Sequence, residues 1–149
     1  MRAVVQRVRG AKVEVEGNVA GEIGGGLAIL VGVSENDTEK DVEYIATKVC
    51  GLRVFDDGQG KMNLSLKEVG GGILLVSQFT LYGDCRKGRR PSFDGAAGPE
   101  KAQKLYGSLV GLLKRMGVNV AEGRFREKML VKLVNDGPVT ILLDSEKRF

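Results

Sequence analysis

The alternation of apolar and polar positions divides the chain into short strand-like runs, two helical periods and one abrupt change of character. Residues 3–8 and 12–16 alternate with period two and predict strands, and Glu16-Gly17-Asn18 predicts a turn into a third strand at 19–23. A β-meander therefore opens the protein. Beyond Gly24, Gly25 and Gly26 the run 27–33 is apolar throughout, as a strand buried on both faces would be. Thr38 with Asp41 three positions on has the form of a capping box, and Val42, Ile45, Ala46 and Val49 recur on one helical face. Gly51 is placed to end that helix as its C′ residue. Residues 52–55 predict a short strand, Asp56-Asp57-Gly58 a turn, and 62–66 another alternating strand. Pro99 suits the N1 position of a second helix, whose apolar face is Ala102, Leu105, Tyr106, Leu109, Leu112, Leu113 and Met116 and which Gly117 stops. Segments 118–121, 129–135 and 139–143 predict the last strands, with Asp136-Gly137-Pro138 a tight turn between the final two.

Two helices interrupting a larger number of strands predict a mixed α/β fold, its sheet curled or doubled on itself with the helices on one side. Regular βα alternation is missing, which argues against a doubly wound nucleotide-binding sheet. No linker-like segment breaks the chain, so residues 1–149 are expected to form a single domain.

The change of character falls after Val76, at the end of a stretch that begins at Ile73. An apolar strand runs to Val76, and then Ser77, Gln78, Phe79 and Thr80 place polar groups where core residues would continue. Past Tyr82, Gly83 and Asp84 come Arg86, Lys87, Arg89 and Arg90, broken only by Gly88 and closed by Pro91. A net charge of +4 from 23 Lys and Arg against 19 Asp and Glu says little, but this local cluster suits a polyanion such as the phosphates of a nucleic acid. A solvated basic loop is the plainer alternative. No apolar run approaches the roughly 18 residues of a spanning helix, and the first residues alternate with arginines where a signal peptide would be apolar. A cytoplasmic protein without membrane contact is expected. Cys50 and Cys85 are not spaced as a pair and are expected to be reduced thiols.

The chain contains no histidine. Ser-His-Asp and Cys-His arrangements are therefore excluded, the commonest transition-metal ligand is missing, and two isolated cysteines do not make a zinc site. Neither metal nor cofactor is expected. The triple glycine lacks the Lys-Ser/Thr of a phosphate loop and precedes a strand, so it reads as a connector. Ser77 and Thr80 are the candidate nucleophiles, but a hydroxyl without an adjacent base is weak. Gln78 and backbone N–H groups at a strand end could instead hold an oxyanion, each worth about 3 kcal/mol when preorganised. The competing reading is a strand end whose polar side chains merely cap the sheet. The isomer of the Gly137-Pro138 bond is open at this level, since about one X-Pro bond in twenty is cis in folded proteins.

Ser77, Gln78 and Thr80 match S-Q-x-x-T, and Asn135, Gly137, Pro138 and Thr140 match N-x-G-P-x-T. In this order and separation, with the opening MRAVVQRV and the loop YGDCRKGRRPSF, the chain resembles the D-aminoacyl-tRNA deacylase family along essentially its whole length. The resemblance implies a three-layer α/β/β fold and a homodimeric cytoplasmic enzyme that hydrolyses the ester between a D-amino acid and tRNA, and also clears glycine misattached to tRNA. It implies catalysis at Ser77, Gln78, Phe79 and Thr80, and a cis Gly137-Pro138 that enters the partner subunit's pocket and turns away L-amino acids with its carbonyls. Phe125 and Met129 would border the terminal adenosine, although Arg126 and Glu127 stand where the family usually has Gly-Ala. Arg86, Lys87, Arg89 and Arg90 are assigned to tRNA phosphates, and Arg7 is the candidate brace for the Gly137-Pro138 turn. With no general base, the ester's own ribose 2′-hydroxyl is the expected source of acid-base assistance, and Thr80 a support. A non-catalytic RNA-binding module is the alternative. A peptide hydrolase is poorly served by a chain without a base of near-neutral pKa.

Overall fold

The computed structural model describes residues 1–149, with eight strands and two α-helices in the order β1 (Arg2–Val15), β2 (Asn18–Ile23), β3 (Gly26–Gly32), α1 (Glu39–Gly51), β4 (Arg53–Asp56), β5 (Met62–Ser65), β6 (Gly72–Ser77), α2 (Pro99–Arg115), β7 (Asn119–Glu122) and β8 (Leu130–Asp144). The two strands expected at 3–8 and 12–16 are one, because β8 pairs with β1 along almost its entire length. On the other edge of β1 the chain doubles back as β2 and then β3, pairing with residues 11–15 and 2–8 respectively. β6 joins β3 in parallel and β7 joins β6, so α1 and α2 lie on the long crossovers that parallel neighbours require.

Period-two alternation sends successive side chains of the central strands into two separate cores. Leu27, Ile29, Val31, Ile73 and Leu75 pack with Val42, Ile45, Ala46 and Val49 of α1 and Leu105, Leu109 and Leu113 of α2. Ala28, Leu74 and Val76 point the other way and meet Val8, Ala11, Val13 and Ile23, where the curled sheet folds over itself. Helices, central sheet and folded-over sheet thus form three layers, and burial on both faces explains the uninterrupted apolar run of β3. The triple glycine acts at a close approach: Gly26 has φ 154°, and a Cβ there would lie 2.0 Å from the Gly72 carbonyl oxygen. Only glycine lets β3 and β6 meet at this point.

Both helices carry the predicted faces, but their ends differ. At α1, the Thr38 N–H donates to the Asp41 carboxylate at 2.7 Å, as a capping box requires. Gly51, expected as C′, is instead the last helical residue: Leu52 is already extended (φ −61°, ψ 126°) and leads straight into β4, so no left-handed residue is needed. At α2, Gly117 takes φ 83°, its N–H reaches the Lys114 carbonyl at 3.0 Å, and the Val118 N–H reaches that of Leu113 at 3.2 Å. This is a Schellman closure. Tyr106 ties the helix to the sheet by donating its hydroxyl proton to the Leu75 carbonyl at 2.9 Å.

The expected tight turn at Asp136-Gly137-Pro138 is a second departure. β8 runs through it as one strand: Asn135 pairs with Val8 and Thr140 with Gln6, leaving residues 136–139 to bulge opposite Arg7 alone. Both halves of β8 stay on the same partner, so the sequence signal of a turn becomes a bulge in a continuous edge strand. No helix is long and apolar enough to cross a membrane.

Candidate active site

β6 loses its neighbours at Ser77. The Gln78 N–H still donates to the Val31 carbonyl at 2.7 Å, and the chain then winds into a 3₁₀ turn, Phe79–Tyr82, with the Leu81 N–H on the Gln78 carbonyl at 3.3 Å. Tyr82 anchors this turn from below, its ring buried and 4.6 Å from the Arg2 guanidinium, while Arg2 donates to the Leu81 carbonyl at 3.0 Å. The Gln78 side-chain amide donates to the Thr80 hydroxyl. The first N–H groups of such a turn have no partner within it, which leaves those of Phe79 and Thr80 at its open start.

A cleft of about 590 Å³ opens beside this strand end. Ser77, Gln78 and Phe79 line one side and Phe125, Arg126, Glu127 and Met129 another, with Phe93, Pro99 and Ala102 also on the lining. Thr80 does not line it; its hydroxyl is held by Gln78 outside. Phe79 and Phe93 meet edge to face with centroids 5.0 Å apart, and Phe125 lies 6.2 Å from the buried ring of Tyr106. The second wall is a tight turn around Met129, whose sulfur accepts the Arg124 N–H at 3.3 Å and would lie 2.7 Å from a Cβ added at Gly123. Phe93, Pro99 and Ala102 were not singled out by the sequence reading, in which Phe93 was only part of the loop motif and the other two were helix residues. Glu127 is the one carboxylate and Arg126 the one cation on the lining. A smaller apolar groove of about 210 Å³ shares Val76, Gln78 and Val131 with the cleft and continues over Leu30 and Leu133.

Arg86, Lys87, Arg89 and Arg90 are all exposed on a hairpin closed by Asp84 and Ser92, whose backbones exchange hydrogen bonds of 2.7 and 3.0 Å. Its return limb leads directly to Phe93 in the cleft. Arg86 is turned back onto Asp84, with Nη2 2.6 Å from the carboxylate, and these hydrogen bonds hold the Asp84 carboxyl down to about 2.

Gly137 and Pro138 lie elsewhere. Their peptide bond is cis, both residues are exposed, and neither lines the cleft of their own chain. Arg7, predicted as the brace, does reach this segment: its buried guanidinium donates to the Asp136 carbonyl at 3.1 Å, the Val54 carbonyl at 2.7 Å and the Asp56 carboxylate at 3.2 Å. Asn135 has a buried side-chain oxygen with no partner.

A family model described as D-Tyr-tRNA(Tyr) deacylase matches residues 4–144. The chain belongs to this deacylase family. Among curated relatives, a D-aminoacyl-tRNA deacylase of Thermotoga petrophila is 60% identical over 149 residues, covering 100% of both chains. One of Symbiobacterium thermophilum is 59% identical over 149 residues, covering 100% of this chain and 99% of the relative. Among solved structures, one titled c-Myc DNA Unwinding Element Binding Protein superposes with TM-score 0.91 at 40% identity, covering 97% of this chain and 98% of that one. A probable eukaryotic D-amino acid tRNA deacylase gives TM-score 0.81 at 18% identity over 95% and 97%, a likeness of fold. The deacylase fold thus accounts for the three layers and both cores.

Proposed function

We propose that this protein hydrolyses the ester bond of D-aminoacyl-tRNA, releasing free tRNA and the D-amino acid, and clears glycine misattached to tRNA in the same way. Residues 1–149 act as one such domain in the cytoplasm. The observation that carries the reading is the strand end itself. Within a chain of this family, Ser77, Gln78 and Phe79 open onto a mostly apolar cleft that offers hydrogen-bond donors and no imidazole base.

The mechanism follows from that absence. Ser77, Gln78 and Phe79 position the ester, and the Phe79 N–H at the start of the 3₁₀ turn takes the developing oxyanion. The attacking water bonds to the carbonyl carbon and gives its proton to the ribose 2′-hydroxyl, whose own proton passes to the departing 3′-oxygen as the ester bond breaks. Thr80 orients Gln78 by accepting its amide proton. Phe125 and Met129 clasp the terminal adenosine, and the basic hairpin follows the phosphates.

Chiral selection is assigned to Gly137 and Pro138 of a partner subunit, whose outward carbonyls would crowd an L side chain. The exposed apolar residues Leu130, Val131, Val134 and Leu142 on the long edge strand β8 support a homodimer that brings the bulge of one subunit to the cleft of the other. The test is deacylation of matched D-Tyr-tRNA and L-Tyr-tRNA, with substrate in excess. Loss of the D ester with the L ester spared is expected. A second reading, nucleic-acid binding without turnover, is favoured by the basic hairpin and by the binding-protein title of the solved structure at 40% identity. Survival of both esters, with tRNA bound, would select it.

A further inference from the structure

The turn that forms the second wall of the cleft carries an unusual backbone. Arg126 takes φ 64°, the left-handed region that side chains avoid and glycine occupies freely. It stands between Phe125 and Met129, on the cleft lining, with its side chain exposed. The adjacent Glu127 carboxylate makes no ion pair with Arg126; its nearest cation is Arg124, 3.9 Å away in an exposed pair. Arg126 therefore places an exposed guanidinium, engaged in no hydrogen bond or ion pair, on the lining of the cleft.

We infer that Arg126 binds the phosphate linking the terminal adenosine to the nucleotide before it. The inference rests on the deacylase reading. With the adenosine held between Phe125 and Met129, that phosphate is the first anion outside the cleft, and a planar guanidinium grips two of its oxygens at once. The basic hairpin then meets phosphates further along the strand. Arg126 sets the register of the single-stranded end in the cleft, and its contact is made by nucleotide backbone alone, so it is blind to the amino acid.

The experiment compares three D-tyrosyl esters: full-length tRNA, the trinucleotide CCA, and adenosine, which has no phosphate. Arg126→Ala is expected to raise KM roughly tenfold on the tRNA and CCA esters and to reduce the salt slope of tRNA binding by about one, leaving kcat/KM on the adenosine ester unchanged. Arg126→Lys should recover part of the loss, as a point charge without the fork. Arg126→Gly should show the same substrate pattern while raising Tm, because it relieves the backbone; this separates the contact from any folding defect. An equal loss on the adenosine ester, or no loss on any ester, overturns the inference. A parent protein that leaves all three esters intact overturns the deacylase reading instead.

Discussion

Residues 77–80 leave the buried strand β6 where its hydrogen-bonding neighbours run out, whereas residues 135–140 bulge from the middle of β8 and are pinned to a guanidinium buried beneath them. The first stretch is tied by one side-chain bond, from Gln78 to Thr80, and exposes Phe79. The second rests on Arg7, whose three acceptors come from β4, its end and the bulge itself. An open strand end with spare donors suits a reacting group that must be approached. A braced bulge with exposed backbone suits a fixed shape against which a ligand is measured. Mutations in the two should therefore separate: stability and selectivity in the bulge, rate at the strand end.

Arg7→Ala is the hardest test of that contrast. It leaves the Val54 and Asp136 carbonyls and the Asp56 carboxylate without their shared donor, at a cost of about 3 kcal/mol in denaturant unfolding. Arg7→Lys should recover little, since one ammonium cannot replace a fork spread over three acceptors. An Arg7→Ala protein as stable as the parent would show the brace to be idle. Gln78→Ala should do the opposite: kcat on D-Tyr-tRNA falls by about 10² while unfolding changes by less than about 0.5 kcal/mol. Thr80→Ala should cost only about tenfold, through the orientation of Gln78; complete loss in single turnover with tRNA still bound would instead mark Thr80 as the nucleophile. Smaller again is Gly137→Ala. The added Cβ would lie 2.8 Å from Val139 Cγ2 and 3.0 Å from Arg7 Nη2, at φ 120°. We expect about 1–2 kcal/mol of destabilisation and faster loss of the L ester relative to the D ester, with D-ester kcat nearly unchanged. A fall in D-ester kcat as deep as that of Gln78→Ala would erase the distinction between the two regions.

Periodicity made most of the fold legible because burial is local in its signature. Leu27 to Val31 read as a strand buried on both faces and serve two cores; Val42, Ile45, Ala46 and Val49 read as a helix face and are buried. What failed was continuity. Residues 3–8 and 12–16 looked like two strands, and 129–135 and 139–143 like another two, yet each pair is one long strand because β1 and β8 hold each other across their interruptions. Pairing partners are non-local, and no window of sequence contains them. The same limit applies at the cleft. Ser77, Gln78 and Phe79 were visible as a break in an apolar run, whereas Phe93, Pro99 and Ala102 reach the lining only through the path of the chain after the hairpin. Arg126 stood out only as a departure, an arginine where the resembled family usually has glycine, and its own residue type gave no sign of a left-handed backbone.

The basic hairpin offers the smallest effect and the finest test, because its cations are not equivalent. Arg86 Nη2 lies 2.6 Å from the Asp84 carboxylate, whose pKa is depressed to about 2, so the pair stays intact until the pH falls towards that value. Across the range in which tRNA esters survive, Asp84 and Arg86 together add no net charge, leaving Lys87, Arg89 and Arg90 to meet phosphate. Asp84→Asn keeps an acceptor for the Arg86 N–H that closes the loop at 3.0 Å. The double variant Asp84→Asn, Arg86→Ala therefore preserves both the turn and the charge, and should bind tRNA within about twofold of the parent. Arg89→Ala should weaken binding by roughly fivefold in low salt, with the loss shrinking as added salt shortens the screening length. If the double variant loses as much as Arg89→Ala, Arg86 must leave Asp84 for a phosphate on binding, and all the hairpin's cations count alike.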